Sequence, residues 1–572
     1  MAKDEKNFLE MFQESLEYEE GWRRVAEDDF LYYTGNQWTD ADRQKLKKQK
    51  RPVLVINRLK AQVDALVGHQ RQNRYDIKFM AEQVKEQQES EENKAIVDDL
   101  NREIMDIMSD EGGLGHQTLS LAFKSGVQCG RGFIECSLDD SEDMADPRIV
   151  VEKLNSLHVL LDPALTKYDV NKGSHIIKSI MTSKESLMFK FQDFAKEIKK
   201  MSGAARIDPH ETDSERQRFD EMHLAEVWHK EVVTERILID PILEKVQPLE
   251  GNKQEREEIV FKYVTNNLEL FREASGVAVA DQAFIARVSR AISVKNRNTH
   301  EIRSAILING HLFRDEVPYK RLKMFPIIGY FPSWMEEAKF NSDRYQGIIR
   351  QLKDPQNEIN KRHSAGLHIL GTQSNSGWVV DEASTSAGER KKIANFGSKP
   401  GIVIVWDSRK GVKPERISAM PAHQGNLIYE DKAGDNMHKI SGLNPESLVM
   451  GDKNDSGKAL ALKIQQASIL IQEYFDNLLR TTRLEGELIV QLIEEKNDVD
   501  YPNRRIVVAE SPHNVTMQLV KQQEMSEFVS VYGQFIPPEI LGPIVIEQSS
   551  LNDDVKKKMI DSFGQVAEAQ IQ

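Results

Sequence analysis

The chain has 572 residues, with 77 Lys and Arg against 91 Asp and Glu, which gives a formal net charge of −14. Its length allows several domains with a large core, and its 39% apolar and 29% charged residues indicate a folded chain. The acidic balance argues against a protein that grips nucleic acid along its whole surface. Two cysteines exclude a disulfide scaffold, and a charged N-terminus without long apolar runs predicts no signal peptide and no membrane span.

The first hundred residues alternate between amphipathic helices and short apolar runs. Apolar residues that recur every three or four positions predict helices, and alternating or continuous apolar runs predict strands. The predicted elements are a helix from Phe8 to Tyr33, a short helix capped by Thr39 or Asp40, a strand from Arg51 to Asn57, a helix that buries Leu59, Val63 and Leu66, a strand from Tyr75 to Met80, and an acidic helix from Glu82 to Met108.

Residues 112–337 mix strands and helices. Asn309-Gly310 between two apolar runs is a strong signal for a two-residue hairpin, and Thr182-Ser183-Lys184-Glu185 fits a capping box before a helix. The predicted strands are Gly132 to Leu138, Ile149 to Leu154, Ile176 to Met181 and Leu224 to His229.

Two helices surround a small insert further along the chain. The first helical stretch, Asp343 to Leu370, contains Asp354-Pro355, which we expect to restart or kink the helix. The second runs from after Pro421 to Ile440. The insert, Gly371 to Ile417, has predicted strands at Trp378–Val380 and Gly401–Trp406 around a polar helix. This order predicts an antiparallel helical hairpin with the insert at its tip.

A Gly-, Asn- and Asp-rich loop, Gly442 to Gly457, precedes a proline-free helix from Lys458 to Lys496. Its apolar residues lie on most faces, so we expect a buried spine roughly 58 Å long. A strand at Arg505 to Ala509 and then helices complete the chain.

None of the motifs argues for catalysis. Gly451 to Ala459 resembles a phosphate-binding loop, but it has five residues between its glycines and Ala459 after the lysine, so an exposed loop before a helix is the better interpretation. Cys129 and Cys136 fit buried thiols. His363 and His368 are five apart and do not share a helix face as zinc ligands should. We therefore expect no enzyme activity, cofactor or metal.

Four short motifs, in this order, resemble the portal proteins of tailed bacteriophages, and most closely the family typified by phage P22. Each motif is weak alone, but their joint order spans most of the chain. They are the opening helix with Trp22, Phe30 and Tyr33, followed by Gly35-Asn36-Gln37-Trp38, Arg51-Pro52, Asn57 and Arg71-Gln72-Asn73-Arg74; Leu161-Asp162-Pro163; Phe325-Pro326-Ile327 with Gly347, Arg350, Lys353-Asp354-Pro355-Gln356, Asn360 and Ser364; and Ser456-Gly457-Lys458-Ala459.

The resemblance implies an α+β, mainly α portal fold in a ring oligomer. The family's parts would be a mixed α/β wing (1–337), a stem helix (338–370), a small α/β clip (371–417), a second stem helix (418–441), a tunnel loop (442–457), a long wing or spine helix (458–500) and a helical crown (501–572). The chain ends soon after Val566, so we do not expect the long C-terminal barrel of the P22 protein.

The resemblance also implies a ring of about twelve subunits, a dodecamer, at one capsid vertex. Its channel would carry double-stranded DNA, and its partners would be the terminase large subunit, head–tail adaptor and tail proteins, and major capsid and scaffolding proteins. Assembly would occur in the bacterial cytoplasm. Expected channel residues are Asp452, Lys453, Asn454, Asp455 and Lys458 in the loop and Lys361 and Arg362 on the stem; expected docking residues are Trp378, Glu382, Arg390, Lys391 and Trp406.

Two alternatives remain open from the sequence. One is a packaging-associated enzyme, an ATPase or nuclease, which needs a proper phosphate loop or clustered acids. The other is a tail adaptor or scaffold that does not form rings. For Lys361 and Arg362, a solvated mixed-charge helix face is the simpler interpretation, because acidic residues accompany them.

Overall fold

We describe the protein from a computed structural model. The structure describes residues 2–81, 91–109, 112–140, 146–201, 221–243, 245–249, 256–275, 282–373, 377–397, 399, 401–417, 424–442, 457–499, 501 and 504–510. The C-terminal segment expected to form the crown, beyond residue 510, lies outside these ranges, as do residues 443–456 of the expected tunnel loop.

Helices dominate the described chain. Most predicted helices are present, and Gly35 ends the first one with a φ of +94°, a value that favours glycine. The helices are α1 (Ala2–Thr34), α2 (Asp40–Lys48), α3 (Arg58–Gln72), α4 (Glu91–Met108), α5 (Gly115–Cys129), α6 (Lys184–Lys190), α7 (Ala195–Lys200), α8 (Arg256–Asn266), α9 (Leu268–Ser275), α10 (Gln282–Ala291), α11 (Asn341–Arg344), α12 (Ile348–Gln373), α13 (Ala387–Phe396), α14 (Gln424–Ser441) and α15 (Gly457–Asn497).

The strands form small antiparallel sheets. The largest has the order β4-β5-β6-β8-β9 with β7 beside β6; the others are β10-β2-β3 and the pairs β1-β15, β11-β12 and β13-β14. The strands are β1 (Tyr75–Ala81), β2 (Gly132–Asp139), β3 (Arg148–Leu154), β4 (Val159–Leu161), β5 (His175–Ser183), β6 (Glu221–Asp240), β7 (Lys245–Pro248), β8 (Ser293–Ile308), β9 (His311–Glu316), β10 (Ile327–Tyr330), β11 (Ser333–Trp334), β12 (Tyr345–Gln346), β13 (Trp378–Val379), β14 (Glu415–Arg416) and β15 (Arg504–Glu510).

Two local turn signals give different outcomes. The predicted hairpin at Asn309-Gly310 is confirmed, because both residues have positive φ, 49° and 82°, between β8 and β9. The predicted capping box is wrong in detail. Thr182 remains in β5, and Ser183 caps α6 by accepting from the Ser186 N–H at 3.2 Å.

The paired strands β6 and β8 are much longer than predicted. Their register runs from Leu224–Ile308 to Ile239–Ser293, and the distal end carries α8, α9 and α10 around their own apolar core. Exposed residues such as Val232 occupy the middle of the ribbon. The sequence pattern indicated only the buried first part, because the exposed part lacks an apolar face.

The main core forms where α15 packs against β1, β2 and β10. This helix has 41 residues and extends one residue beyond each end of the predicted Lys458–Lys496, and its residues 488–494 are all buried. Gly486 permits the close approach to the β1–β15 pair, since a Cβ there would lie 2.7 Å from Ile77 Cγ2. The C-terminal half of this helix is therefore an interior element, as expected from its apolar residues on several faces.

Two predicted strands are wrong. Arg51–Asn57 is extended but is not a strand, and Gly401–Trp406 also lacks a strand partner among the described residues. Pro355 lies within α12, which is continuous from Ile348 to Gln373, so the proline does not restart a helix, and the alternative of a kink stays a prediction. Burial of Leu352, Gln356 and Ile359 on both sides of the proline holds this helix against its neighbours.

Candidate functional site

The helices α12 and α14 pair beside the start of α3. Ile359 of α12 and Met437 of α14 belong to the main core, and Gln62 of α3 contacts both His438 and Ser441 of α14. The first half of α12 and the last half of α14 thus meet the same helix. The two helices run in opposite directions. The insert 377–417 lies between them in the sequence, after the end of α12 and before the start of α14.

A ladder of three buried side chains on α12 fixes the extended segment before α3. Gln356, Asn360 and Ser364 lie four residues apart, on one face of the helix. Gln356 Oε1 accepts from the N–H groups of Arg58 and Leu59, both at 3.1 Å. Asn360 Oδ1 accepts from Ile56 N at 2.9 Å, and Ser364 Oγ accepts from Leu54 N at 3.2 Å.

These hydrogen bonds explain why Arg51–Asn57 is not a strand. Its N–H groups find side-chain acceptors on a helix some three hundred residues later, where a strand would use a neighbouring backbone. Gln356, Asn360 and Ser364 were part of the sequence resemblance, but the sequence did not indicate what they bind.

A buried arginine joins α1 to the segment that leads into α12. Arg131 lies between two aromatic rings, with its guanidinium carbon 4.0 Å from the Trp22 ring centroid and 4.1 Å from that of Tyr345. It pairs with buried Glu19 at 2.6 Å and donates to Asn341 Oδ1 at 2.7 Å. The sequence analysis missed this residue, because the spacing of its partners follows no local pattern.

A second ionic contact joins α1 to α12 itself. Lys353 of α12 lies 2.7 Å from Asp29 Oδ1, also pairs with Asp28, and sits over the Tyr32 ring. Burial raises the pKa of Asp29 to about 6, and the nearby Lys353 ammonium opposes that rise. Both ionic contacts anchor the base of α12 to α1.

The stem residues predicted to face a channel differ in their surroundings. Lys361 is exposed on α12. Arg362 is half-buried, and its Nε donates to Glu358 Oε1 at 2.7 Å, one turn earlier in the same helix. A charge paired within its own helix is partly neutralised, so Lys361 is the better candidate for a contact with a passing anion.

Residues 377–417 form a unit held mainly by polar contacts. Asp381 organises it: its backbone carbonyl accepts from Ser384 and Thr385, and its Oδ2 accepts from Val412 N at 3.2 Å. Ile393 is the large apolar residue buried within this described stretch. Many apolar residues stay exposed instead: Val379, Phe396, Val403, Val405, Trp406, Val412 and Ile417. The structure leaves these apolar side chains uncovered.

The predicted docking residues lie in this unit with different roles. Trp378 is half-buried and donates from Nε1 to the Gly397 carbonyl at 2.9 Å, so it joins β13 to the end of α13. Arg390 pairs with Glu382 at 3.0 Å. Lys391 and Trp406 are exposed. The loop residues Asp452, Lys453, Asn454 and Asp455 lie outside the described residues, and of Lys458 only its position at the start of α15 is described.

Other titratable residues lie in apolar surroundings. Burial raises the pKa of Cys129 to about 11 and that of Cys136 well above its ordinary value, which keeps both thiols protonated. Glu485 of α15 is completely buried, and burial raises its pKa to about 8. Within the described ranges, no three His, Cys, Asp or Glu side chains are grouped closely enough to hold a metal ion.

The comparison with protein families decides the classification. A model of the family described as phage P22-like portal protein matches residues 9–500.

The chain belongs to the P22-like family of phage portal proteins.

Portal proteins of this family are structural components of the phage, found at a vertex of the virion capsid. A comparison with curated proteins found no match. No described helix of this portal protein is long and apolar enough to cross a membrane. The fold agrees with the family, since the chain is α+β and about half helical with small sheets.

Proposed function

We propose that this portal protein forms a ring of about twelve subunits around a channel for DNA packaging and ejection. The observation that supports the proposal most is the family match over residues 9–500. Rings of this kind form through heterologous contacts that close on themselves. We assign α12 and α14 to the stem, residues 377–417 to the clip, and the long helix α15 to the spine between wing and stem.

The charges of the proposed stem helices suit a channel that does not bind DNA tightly. Each phosphate that Lys or Arg neutralises adds affinity through counterion release, so many such contacts would arrest sliding. The stem helices carry cations and anions in nearly equal number, and the whole chain is acidic. A few contacts, at Lys361 and in the loop with Lys453 and Lys458, would guide the duplex without binding it tightly.

The clip is the docking platform in this proposal. Its exposed apolar residues, including Val403, Val405 and Trp406, offer area that a partner can bury, and Lys391 adds a charge at the rim. The terminase large subunit would bind here during packaging and the head–tail adaptor afterwards. The force for packaging would come from the terminase. Capsid and scaffolding proteins would meet the wing.

Replacing both loop lysines tests the DNA contact. Lys453→Ala with Lys458→Ala is expected to leave particle assembly unchanged and to lower the yield of DNA-filled heads, because two phosphate contacts are lost. Filled and empty heads are counted after packaging in infected cells. The control, Lys47→Ala with Lys48→Ala, removes the same charge from the exposed surface of α2. Equal yields from the two double variants would exclude the loop contact.

A further inference from the structure

Four histidines of the six-stranded sheet contact one face of the first half of α1. Glu5, Phe8, Phe12 and Ser15 are spaced three or four residues apart, so they share that face. Each of them contacts a different histidine on the six-stranded sheet. In chain order, the histidines are His175 of β5, His223 and His229 of β6, and His311 of β9.

The contacts of Ser15 and Phe12 are buried. Ser15 Oγ and His175 Nε2 lie 2.8 Å apart, and both residues are buried. The ring of Phe12 meets that of His223 edge-on at 5.4 Å, and His223 Nε2 shares a hydrogen bond with Ser179 Oγ at 2.9 Å. Around these contacts, Phe12 packs on the apolar residues of the sheet, including Val227 and Leu307.

The charged groups near His175 and His229 are largely committed to other partners. His175 shares a hydrogen bond with Ser174, which also donates to Asp162; the same carboxylate accepts from Ser174 N at 2.7 Å and Ala164 N at 2.8 Å. His229, opposite His175 on the neighbouring strand, lies 3.2 Å from Asp315. Asp315 also pairs with Arg303 at 3.1 Å.

We propose that the first half of α1 is a pH-dependent latch, held on the sheet while His175 is neutral and released when it takes up a proton. Release would uncover Phe8, Phe12 and the sheet residues beneath them. The latch is a property of one subunit and does not depend on the proposed ring.

The sign of the effect follows from burial. Burial lowers the pKa of His175, and His229 adds to that decrease, while Asp162 opposes it. A buried neutral histidine that takes up a proton in the released state favours release as the pH falls below about 6.5.

Two ionic contacts near this face add little to the balance. The Asp315 carboxylate beside His229 is already paired with Arg303. The contact of His311 with Glu5, at 3.0 Å, lies where His311 is 67% exposed and ion pairs contribute little. The buried His175 therefore sets the sign, and acidic pH favours release.

Hydrogen exchange of the amides of residues 5–16 between pH 7.5 and 5.5 tests the latch, after correction for the intrinsic exchange rate. Protection in the unaltered protein is expected to fall by at most about tenfold per histidine for each pH unit below 6.5. Amides of β6 serve as a reference for global unfolding. The variant His175→Gln keeps a polar side chain without a titrating group, and its protection should depend much less on pH.

A second variant keeps the test decisive if His175→Gln does not fold. His175→Asn removes the same titrating group, whereas the control His311→Gln removes an exposed histidine and should keep the pH slope of the unaltered protein. Protection that does not change with pH in the unaltered protein would overturn the latch. An equal loss in the His175 variants and the unaltered protein would overturn it as well.

Discussion

Buried ionic side chains act as joints between distant segments of this portal protein. Arg131 and Glu19 are both completely buried, and the arginine is further held by Trp22 and Tyr345. Such a pair costs desolvation free energy, and removing one partner leaves a charge without compensation. The joint therefore fixes the geometry of α1 relative to the base of α12 more than it adds net stability.

Removing the arginine tests this joint. Arg131→Met should lower the free energy of unfolding by about 3–5 kcal/mol, because Glu19 is left buried without its partner. Chemical denaturation measures the loss. The control Arg483→Met breaks an exposed pair with Glu487 and should cost less than about 1 kcal/mol. Similar losses in the two variants would contradict the role given to Arg131.

The hydrogen bonds of the Gln356 side chain lead to a second prediction at the scale of single residues. Gln356→Leu leaves the Leu59 N–H without its acceptor, while the Arg58 N–H keeps the Ile56 carbonyl, so the change should cost about 1–3 kcal/mol of unfolding free energy. The control Gln351→Leu makes the same change at an exposed position of the same helix and should be nearly neutral. Thermal unfolding of both proteins compares them; a neutral Gln356→Leu would show that the ladder is not needed.

At the scale of elements, α15 contains a buried carboxyl group, that of Glu485, which lowers the stability of the folded protein at neutral pH. Glu485 is completely buried, and neither carboxylate oxygen has a hydrogen-bond partner among the described residues. With a folded pKa of about 8, the side chain is neutral in the folded protein at pH 7 and ionised in the unfolded chain. The unfolded state then binds fewer protons, so stability falls as pH rises from about 4.5 to 8.

Replacing this carboxyl group should remove that pH dependence. Glu485→Gln is expected to be more stable than the unaltered protein by on the order of 2–4 kcal/mol at pH 7, and to lose the difference near pH 4.5. Denaturant titrations at several pH values measure both. A pH-independent difference between the two proteins would mean that Glu485 is ionised in the fold.

The predictability of each element depends on where its partners lie. The Asn309-Gly310 turn and the helix α15 follow from local patterns, so the sequence predicted them well. Arg51–Asn57 resembles a strand by composition, but its partners are side chains on α12, which no local pattern shows. Gly401–Trp406 has the apolar residues of a strand without a partner strand among the described residues.

The candidate site was predictable only in part. The stem and clip residues come from the resemblance, and the geometry separates them: Lys361 and Trp406 are exposed, while Trp378 has a structural contact. The Arg131 joint and the histidines under α1 needed the folded chain, because their members lie on elements far apart in sequence.

At the scale of the whole molecule, the account depends on many subunits closing around a hole. Long helices with apolar faces, exposed apolar residues in the proposed clip and an acidic composition agree with such an assembly, and the family match supports it most strongly. A subunit alone would leave apolar area uncovered and would tend to aggregate.

Electron microscopy of the purified protein, with native mass spectrometry of the same sample, tests this account most directly. We predict annular particles with a central hole wide enough for a DNA duplex and a mass of about twelve subunits. Compact single particles of one-subunit mass at every protein concentration, or open filaments without rings, would contradict it.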